Sequence, residues 1–350
     1  MKRFVRSPQS EQQGYILVLN LAVLALMLLG ASYVGQRVSD AVRLAKAEEH
    51  AVDANYQLES ARSHLLITLA SAPRYLHGLG VAPYSVALDG SEYMLTDSVM
   101  ISVQDVRGLV SLNGTSLSGF GRERVERFLG TWGVNDTRAS ALTDALLDYR
   151  DVDDLRRLNG AERNEYRQAG VESNLRNGDL LSVSELQRVF GWKDVPEIWG
   201  QDPIVDHVSI QVGSTFNPNT AGWRALVAMA GVEADTAKSM VANRRASPVF
   251  TDQSGLLFGA GVGDPFGANS FVLPFPGTTL IATLRSADAG WGYRMVVTHT
   301  PGDNTGPWRI GAVWRLPLPK PLKPVAETPR MPDLGLMIPV GGISQIKSPF

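Results

Sequence analysis

The feature that most constrains this chain is an uncharged apolar segment near its N-terminus. The segment begins at Tyr15 and continues to Val34 without a charged residue. An α-helix rises about 1.5 Å per residue, so a segment of this length spans a hydrocarbon core of about 30 Å. The polar leader before it carries three basic residues, Lys2, Arg3 and Arg6. Because basic flanks favour the cytoplasmic side, the sequence predicts a single-pass membrane helix over 15–34 with a cytoplasmic N-terminus and a periplasmic bulk.

Three interpretations of this segment compete: a cleaved secretory signal, an uncleaved anchor, and a signal that is cut just before the apolar run. A secretory signal has a shorter apolar core, of about 7–15 residues, that ends in a small-x-small site. The candidate for such a site, Gly30-Ala31-Ser32, is followed by more helix-compatible sequence. Gly14, in contrast, lies at the junction between polar Gln13 and apolar Tyr15. This arrangement resembles a prepilin-type signal, and it predicts cleavage between Gly14 and Tyr15.

The helical pattern continues beyond the membrane segment. Small and apolar residues recur at three-to-four spacing from Val38 to Leu65, with polar residues between them, as in an amphipathic helix. No proline interrupts Tyr15–Ala72, and Pro73 then ends the pattern. The sequence therefore predicts one helix of roughly 85 Å, apolar in its first half and amphipathic in its second.

Composition excludes several classes of chemistry. The chain has 350 residues and no cysteine, so disulfides, thiolate catalysis and cysteine-based zinc sites are excluded. The formal net charge of −2 gives no overall attraction to nucleic acid or anionic lipid. Its five histidines are scattered along the sequence and form no catalytic constellation with nearby nucleophiles or acids. We therefore expect a protein that is not an enzyme.

Strand patterns and helix patterns alternate in blocks after the long helix. Alternation of apolar and polar residues predicts strands near 93–103, 208–212, 279–284, 293–298 and 308–316. Helices are predicted over 122–129, 139–149, 184–190 and 223–230. We expect an α+β fold class, with a pilin-like long helix on a small antiparallel sheet and a large helical, helix-hairpin-helix-like (SAM-like) domain inserted between strands. The expected divisions are 1–14 leader, 15–34 membrane helix, 35–112 stem and first strands, 113–205 inserted helical domain, 206–277 second helical unit and loop, 278–316 last strands, and 317–350 a Pro-rich extended or disordered tail.

An internal similarity divides the helical block into two related units. In each unit an asparagine, Asn113 or Asn217, precedes a helix, a Gly-Val turn and a second helix. Helix-hairpin-helix modules of this outline bind phosphate through backbone N–H groups. Acidic residues follow both turns, at Asp136 and at Glu233, where they would repel a phosphate. We therefore expect no nucleic-acid binding.

The densest acidic group follows the second helix of the first unit. It consists of Asp148, Asp151, Asp153 and Asp154. One interpretation is a solvated turn paired with the arginines interleaved in it. The alternative is a calcium site, because calcium prefers carboxylate oxygens. The spacing lacks the central glycine and terminal glutamate of an EF-hand loop, so both interpretations stay open.

Together these residues resemble the K-class minor pseudopilins of type II secretion systems (the GspK family). The most specific match is Ala141–Gly170, with its helix, its Asp-rich turn and Asn-Gly-Ala-Glu at 159–162. Further matches are Arg176-Asn177, Leu181–Leu186 and Phe216-Asn-Pro-Asn-Thr-Ala221. The resemblance extends over roughly 14–316, and it assigns no role to the tail after residue 316.

The resemblance implies a function and a set of partners. It implies N-methylation of Tyr15 after removal of the leader, and a place at the tip of the pseudopilus, in agreement with Leu19 where major pilins carry glutamate. The implied partners are the I and J minor pseudopilins, the major pseudopilin, the inner-membrane platform, the secretin and the prepilin peptidase. Some family members bind calcium, although the resemblance does not identify the ligands in this chain. The alternatives are a minor pilin of a type IV pilus machine and a membrane-anchored DNA-binding protein.

Overall fold

The computed structural model describes residues 12–76, 78–80, 85–113, 120–171, 175–211, 215–244, 272–286, 291–317, 328–332 and 334. Most of the predicted leader, and much of the predicted tail, lie outside these residues. The chain divides into two units, Met1–Gln57 and Leu58–Phe350. Helix α1 runs from Gln12 to Ser71, close to the helix that the sequence predicts over 15–72.

The first unit consists of the N-terminal part of α1. Its apolar side chains from Tyr15 to Val34 are exposed throughout. Within the described part of the chain, one helix is long and apolar enough to cross a membrane, with a mean hydropathy of 2.3 over its most apolar window. Because a helix that is apolar all round needs lipid or protein around it, this part of α1 fits a membrane anchor.

The second unit begins with the last turns of α1, which pack on an antiparallel sheet. Leu58, Ala61, Leu65 and Leu69 are buried at three-to-four spacing, so one face of the helix supplies the core. The hydroxyl of Tyr293 donates a hydrogen bond to the Leu58 carbonyl at 3.0 Å. This contact fixes the end of the helix to the sheet.

The sheet has five strands in the order β3-β4-β7-β8-β9, and each neighbouring pair is antiparallel. A short hairpin, β1 and β2, precedes it. The strands are β1 Arg74–Tyr75, β2 Gly78–Leu79, β3 Asp89–Met94, β4 Val99–Asp105, β7 Thr279–Ser286, β8 Trp291–His299 and β9 Trp308–Pro317. Strands β4 and β7 are neighbours in the sheet. Because 173 residues lie between Asp105, which ends β4, and Thr279, which begins β7, the helical block is inserted between two paired strands.

The inserted domain contains the two predicted helix pairs. Its elements are β5 Val110–Ser111, α2 Phe120–Gly130, α3 Asp136–Arg150, α4 Arg163–Gln168, β6 Val208–Ser209, α5 Trp223–Ala230 and α6 Ala234–Asn243. In both pairs the linking turn uses a glycine with positive φ, +82° at Gly133 and +65° at Gly231. Such backbone angles favour glycine, which explains why the Gly-Val turn recurs.

The two helix pairs share one hydrophobic core. Phe128 and Leu129 of α2 are buried in the same cluster as Leu226 of α5, and β5 pairs with β6 in parallel. The domain therefore has a single core that crosses the expected boundary between 113–205 and 206–277. The predicted helix over 184–190 is instead a short 3₁₀ helix, Val183–Gln187, in which the Ser182 side chain accepts from the Ser184 N–H.

A buried carboxylate joins the sheet to the helical domain. Asp105, at the end of β4, is 0% exposed. It accepts hydrogen bonds from the Asn217 amide at 2.9 Å and the Thr220 hydroxyl at 3.0 Å. The backbone N–H groups of Arg107 and Gly277 also donate to it, both at 3.1 Å. The Phe216–Ala221 motif is thus the segment that fixes the second helix pair to the sheet.

Candidate metal centre

The acidic loop lies between α3 and α4, and both helices position it. Helix α3 ends where the Asp151 N–H donates to the Leu147 carbonyl at 3.0 Å. Helix α4 begins after Glu162, whose N–H donates to the side chain of Glu165 at 2.9 Å. The loop between these ends carries Asp153 and Asp154.

Asp148 and Arg157 form the buried base of the loop. Asp148 is 0% exposed and accepts from the Arg157 guanidinium at 2.5 Å. The same guanidinium nitrogen donates to Asp151 Oδ2 at 2.6 Å. Burial raises the pKa of Asp148 although Arg157 opposes this change. A Cβ at Gly160 would lie 1.9 Å from the Asp148 carboxylate, so a glycine at this position lets the loop close over the ion pair.

Glu162 is the unusual residue of the loop. It is 4% exposed and forms a capping box with Glu165 at the start of α4, but neither of its carboxylate oxygens makes a regular hydrogen bond with the described residues. Burial is the largest cause that raises the pKa of Glu162 to about 7, and the negative charges of Asp148 and Asp151 add to it. A buried carboxylate without donors is costly, so this side chain is suited to a ligand that carries positive charge.

Three carboxylates converge at this point. One oxygen from each of Asp151, Asp153 and Glu162 can be chosen so that all lie within 4.8 Å of one another. The Oδ1 atom of Asp151 has no hydrogen-bond partner in the described structure. Of these three and Asp148, Arg157 pairs with Asp148 and Asp151, so the group carries an excess of negative charge when all four carboxylates are ionised.

The loop has little apolar anchorage. Its three large aliphatic side chains point to solvent, with exposures of 85% at Val152, 77% at Leu155 and 87% at Leu158. Burial of such side chains normally fixes a segment to its domain. The conformation of this loop therefore depends on its polar contacts, and a bound cation would add to them.

The structure places the four acidic residues that the sequence singles out in different surroundings. Asp151 and Asp153 belong to the converging cluster. Asp148 lies beneath it in the ion pair with Arg157. Asp154 is exposed and accepts from the Asn177 amide at 3.3 Å. The arginines interleaved in the loop pair partly elsewhere, Arg150 with Asp179 and Arg156 with Glu165.

Sequence reasoning did not identify Glu162 as a possible ligand. It lies eleven positions after Asp151 by the residue numbering, too far to appear in a count of neighbouring acids. A signal was present in the Asn-Gly-Ala-Glu motif at 159–162, where Gly160 accommodates Asp148 and the next residues turn Glu162 inward. The motif supports the family resemblance, but the inward position of the Glu162 side chain depends on the fold.

The predicted cleavage junction lies within helix α1. The helix is continuous through Gly14 and Tyr15, and the Tyr15 side chain is 74% exposed. Leu19 and Asn20 are exposed as well. Cleavage between Gly14 and Tyr15 stays a prediction.

A polar cavity of about 220 Å³ lies between the sheet and the helical domain. Its charged residues pair with one another, Glu92 with Arg285 and Asp206 with Arg294. Like Asp206 with Arg294, the ion pair of Arg244 with Asp89, at 3.1 Å, joins the helical domain to the sheet, and it is almost fully buried. These charges are paired within the protein, so they do not point to a charged ligand in the cavity.

A protein-family model matches part of the helical domain. Residues 105–195 match the family model of the type II secretion system (T2SS) protein K. The matched region begins at Asp105 and contains α2, α3, α4 and the whole acidic loop. A comparison with curated proteins finds no match.

Comparison with solved structures extends the similarity to the fold of most of the chain. A chain in the crystal structure of the GspK-GspI-GspJ complex from the enterotoxigenic Escherichia coli type 2 secretion system superposes with a TM-score of 0.52. The sequences are 16% identical, and the match covers 80% of this chain and 99% of that chain. The fold class that the sequence predicts is confirmed by this similarity.

Proposed function

We propose that this chain, which belongs to the type II secretion system protein K family, is a minor pseudopilin at the tip of a pseudopilus. It would be needed for pseudopilus assembly and for export of folded proteins from the periplasm across the outer membrane. The observation that carries the proposal is the match of the protein K family model to residues 105–195. The role is structural, not catalytic.

The inserted helical domain supports a terminal position. It lies between β4 and β7 and has a core of its own, which makes the subunit bulky beyond its sheet. Position five of the proposed mature chain is Leu19, so this chain lacks a carboxylate that could neutralise the N-terminus of another subunit within the apolar region. A subunit without that carboxylate suits the first position of a filament.

The membrane topology and the partners follow from the same proposal. The exposed apolar part of α1 would cross the inner membrane once, with the N-terminus in the cytoplasm and the second unit in the periplasm. GspI and GspJ form a complex with GspK in the similar structure, and we propose I and J minor pseudopilins as the direct partners here. The major pseudopilin, the inner-membrane platform, the secretin and the prepilin peptidase would be the others.

Processing at Gly14 tests the pilin class of the protein. In cells that contain the peptidase, the N-terminal mass should show loss of residues 1–14 and a methyl group on Tyr15. Gly14→Val should block the cut. Gly30→Val is the matched control, because a Cβ at Gly30 meets no atom within 4 Å, and it should leave processing unchanged. An intact leader in the wild-type chain, or a cut near Ala31, would contradict the proposal.

Co-purification with I and J subunits separates this function from that of a type IV pilin. The processed chain should be retained with both subunits, and loss of the chain should stop secretion while pili still form. A DNA-binding protein would instead bind duplex DNA with strong salt dependence. Retention on DNA without retention of I or J would favour that alternative.

We also propose that the acidic cluster binds calcium. Asp151, Asp153 and Glu162 would supply carboxylate oxygens, the ligands that this hard cation prefers, and the ion would supply the positive charge that Glu162 lacks. The full-length chain in detergent, stripped with a chelator, should gain thermal stability on addition of calcium. Magnesium should have a smaller effect, because three convergent carboxylates do not favour its small, hydrated shell. An identical melting temperature with and without calcium would contradict the site.

A further inference from the structure

The two edges of the five-stranded sheet are protected in different ways. Strands β3 and β9 form these edges. An edge strand presents unpaired N–H and C=O groups that can pair with another chain. The two edges therefore show where this protein could associate through its backbone, and what prevents it.

The β9 edge is protected by its own sequence. Val296 pairs with Ala312 and Val297 with Ile310, so Gly311 is an extra residue that forms a bulge. The exposed side chains of Arg309 and Arg315 lie on the same strand. Bulges and charged residues both oppose pairing between edges.

The β3 edge is instead bound by the C-terminal tail at Met94, the last residue of this strand. The Met94 N–H donates to the Pro329 carbonyl, and the Met331 N–H donates to the Met94 carbonyl, both at 2.8 Å. Arg330 lies opposite Met94 in a parallel bridge and pairs with Asp97. We call residues 328–332 and Leu334 the edge segment.

Apolar contacts add to these backbone bonds. Met331 and Leu334 are partly buried and pack against the core between α1 and the sheet. The ion pair of Arg330 with Asp97 is exposed on both sides, so it contributes little. The edge segment thus binds mainly through its backbone and two side chains, which is how an added strand binds to a sheet edge.

The register of the sheet shows that the tail can reach this edge within one molecule. Leu316 pairs with Gly292, which pairs with Arg285, and this row continues through Met100 to Met94. With strands about 4.8 Å apart, the end of β9 lies about 24 Å from a segment added outside β3. The fourteen residues from Leu316 to Arg330 can span up to about 46 Å.

We propose that the β3 edge is a strand-binding surface that the chain's own edge segment occupies, which withholds it from a second copy of this chain. This assigns a role to the tail, for which the family resemblance provides none. The backbone groups of residues 329 and 331 face β3, so position 332 faces outward, and the proline there leaves no N–H group to attract a further chain.

Two truncations of the full-length chain test the proposal. A chain that ends at Pro317 lacks the edge segment, whereas a chain that ends at Leu334 keeps it and is the matched control. In detergent, light scattering should show that the shorter chain self-associates at protein concentrations at least tenfold lower than the control. Equal self-association of the two chains would overturn the proposal.

A point substitution and a crosslink test it without deletion. Met331→Asp in the full-length chain should increase self-association as the shorter truncation does. In the double variant Asp97→Cys and Arg330→Cys, a disulfide can form only from these two positions, within one chain or between two copies, because the chain has no other cysteine. Under oxidation we expect an intramolecular disulfide and no self-association. Disulfide-linked dimers as the main product would show that the tail belongs to a neighbouring copy, and would overturn occupation by the chain's own segment.

Discussion

Asp105 and Glu162 are two buried carboxylates of the second unit with opposite surroundings. Asp105 receives four hydrogen bonds, two from side chains and two from backbone N–H groups. Glu162 shares a capping box with Glu165, but its carboxylate makes no regular hydrogen bond with the described residues and lies near other acids. Burial alone therefore does not distinguish a structural carboxylate from a candidate metal ligand. The number of donors does.

The largest expected effect comes from removing the satisfied carboxylate. Asp105→Ala leaves the Asn217 amide, the Thr220 hydroxyl and two backbone N–H groups buried without their acceptor. Each such group costs about 1–3 kcal/mol, and partial relaxation should reduce the total loss to about 3 kcal/mol. Denaturation by urea, followed by tryptophan fluorescence, measures this loss.

Two control variants sharpen the interpretation of that measurement. Asp105→Asn keeps one acceptor oxygen for the backbone donors, and we expect a smaller loss than for alanine. Asp235→Ala removes an exposed acid that pairs with Lys238 in its own helix, and it should change stability by less than about 0.5 kcal/mol. If Asp105→Ala is as mild as Asp235→Ala, the joint between sheet and helical domain does not depend on this carboxylate.

The next largest effect distinguishes Glu162 from Asp105, because the two substitutions should change the stability of the metal-free chain in different directions. Calcium at about 100 times its dissociation constant should stabilise the wild-type chain by about 2.7 kcal/mol. Glu162→Gln should lose most of this gain. In the absence of calcium the same variant should be as stable as the wild type or more stable, because it removes a buried charge beside Asp151 and Asp153.

Melting curves with calcium and with a chelator measure both parts of this prediction. Substitution of a structural carboxylate should lower the melting temperature both with calcium and with the chelator, as we expect for Asp105→Ala. If Glu162→Gln is equally destabilised with and without calcium, Glu162 is a structural carboxylate like Asp105.

These two residues also show how much the sequence could predict. The long helix, the strands and the two helix pairs follow from periodicity, because each needs only local spacing of apolar residues. The acids from 148 to 154 were visible as a dense group. Asp105 and Glu162 were not singled out, because their roles depend on donors or acids that the fold brings from distant positions, such as Asn217 and Gly277. The single core of the two helix pairs was missed for the same reason.

A smaller effect is expected from pH in the absence of metal. The pKa of Glu162 is raised to about 7 from the ordinary value of 4.5. Between these values the folded chain holds a proton that the unfolded chain has lost, so stability falls as pH rises through this window. The decline should be complete above about pH 7, and calcium should offset it there because it binds the ionised carboxylate.

Melting temperatures of the metal-free chain from pH 4.5 to 8 measure this dependence. Glu162→Gln is the control, and its melting temperature should lack the part of the decline with pH that is due to Glu162. A wild-type profile that coincides with that of the variant would mean that Glu162 titrates normally in the folded chain.

The smallest effect is expected at Asp154, the one acid of the dense group that lies outside both the cluster and the ion pair with Arg157. Its carboxylate is exposed and accepts a 3.3 Å hydrogen bond from Asn177. Asp154→Asn should change stability by less than about 0.5 kcal/mol and leave the calcium response intact. Asp153→Asn, one position earlier and of the same chemistry, should weaken calcium binding. If calorimetry finds that Asp154→Asn weakens binding as much as Asp153→Asn, the ion is held by the charge of the whole loop, and the contrast between Glu162 and Asp105 is one of charge density instead of donor number.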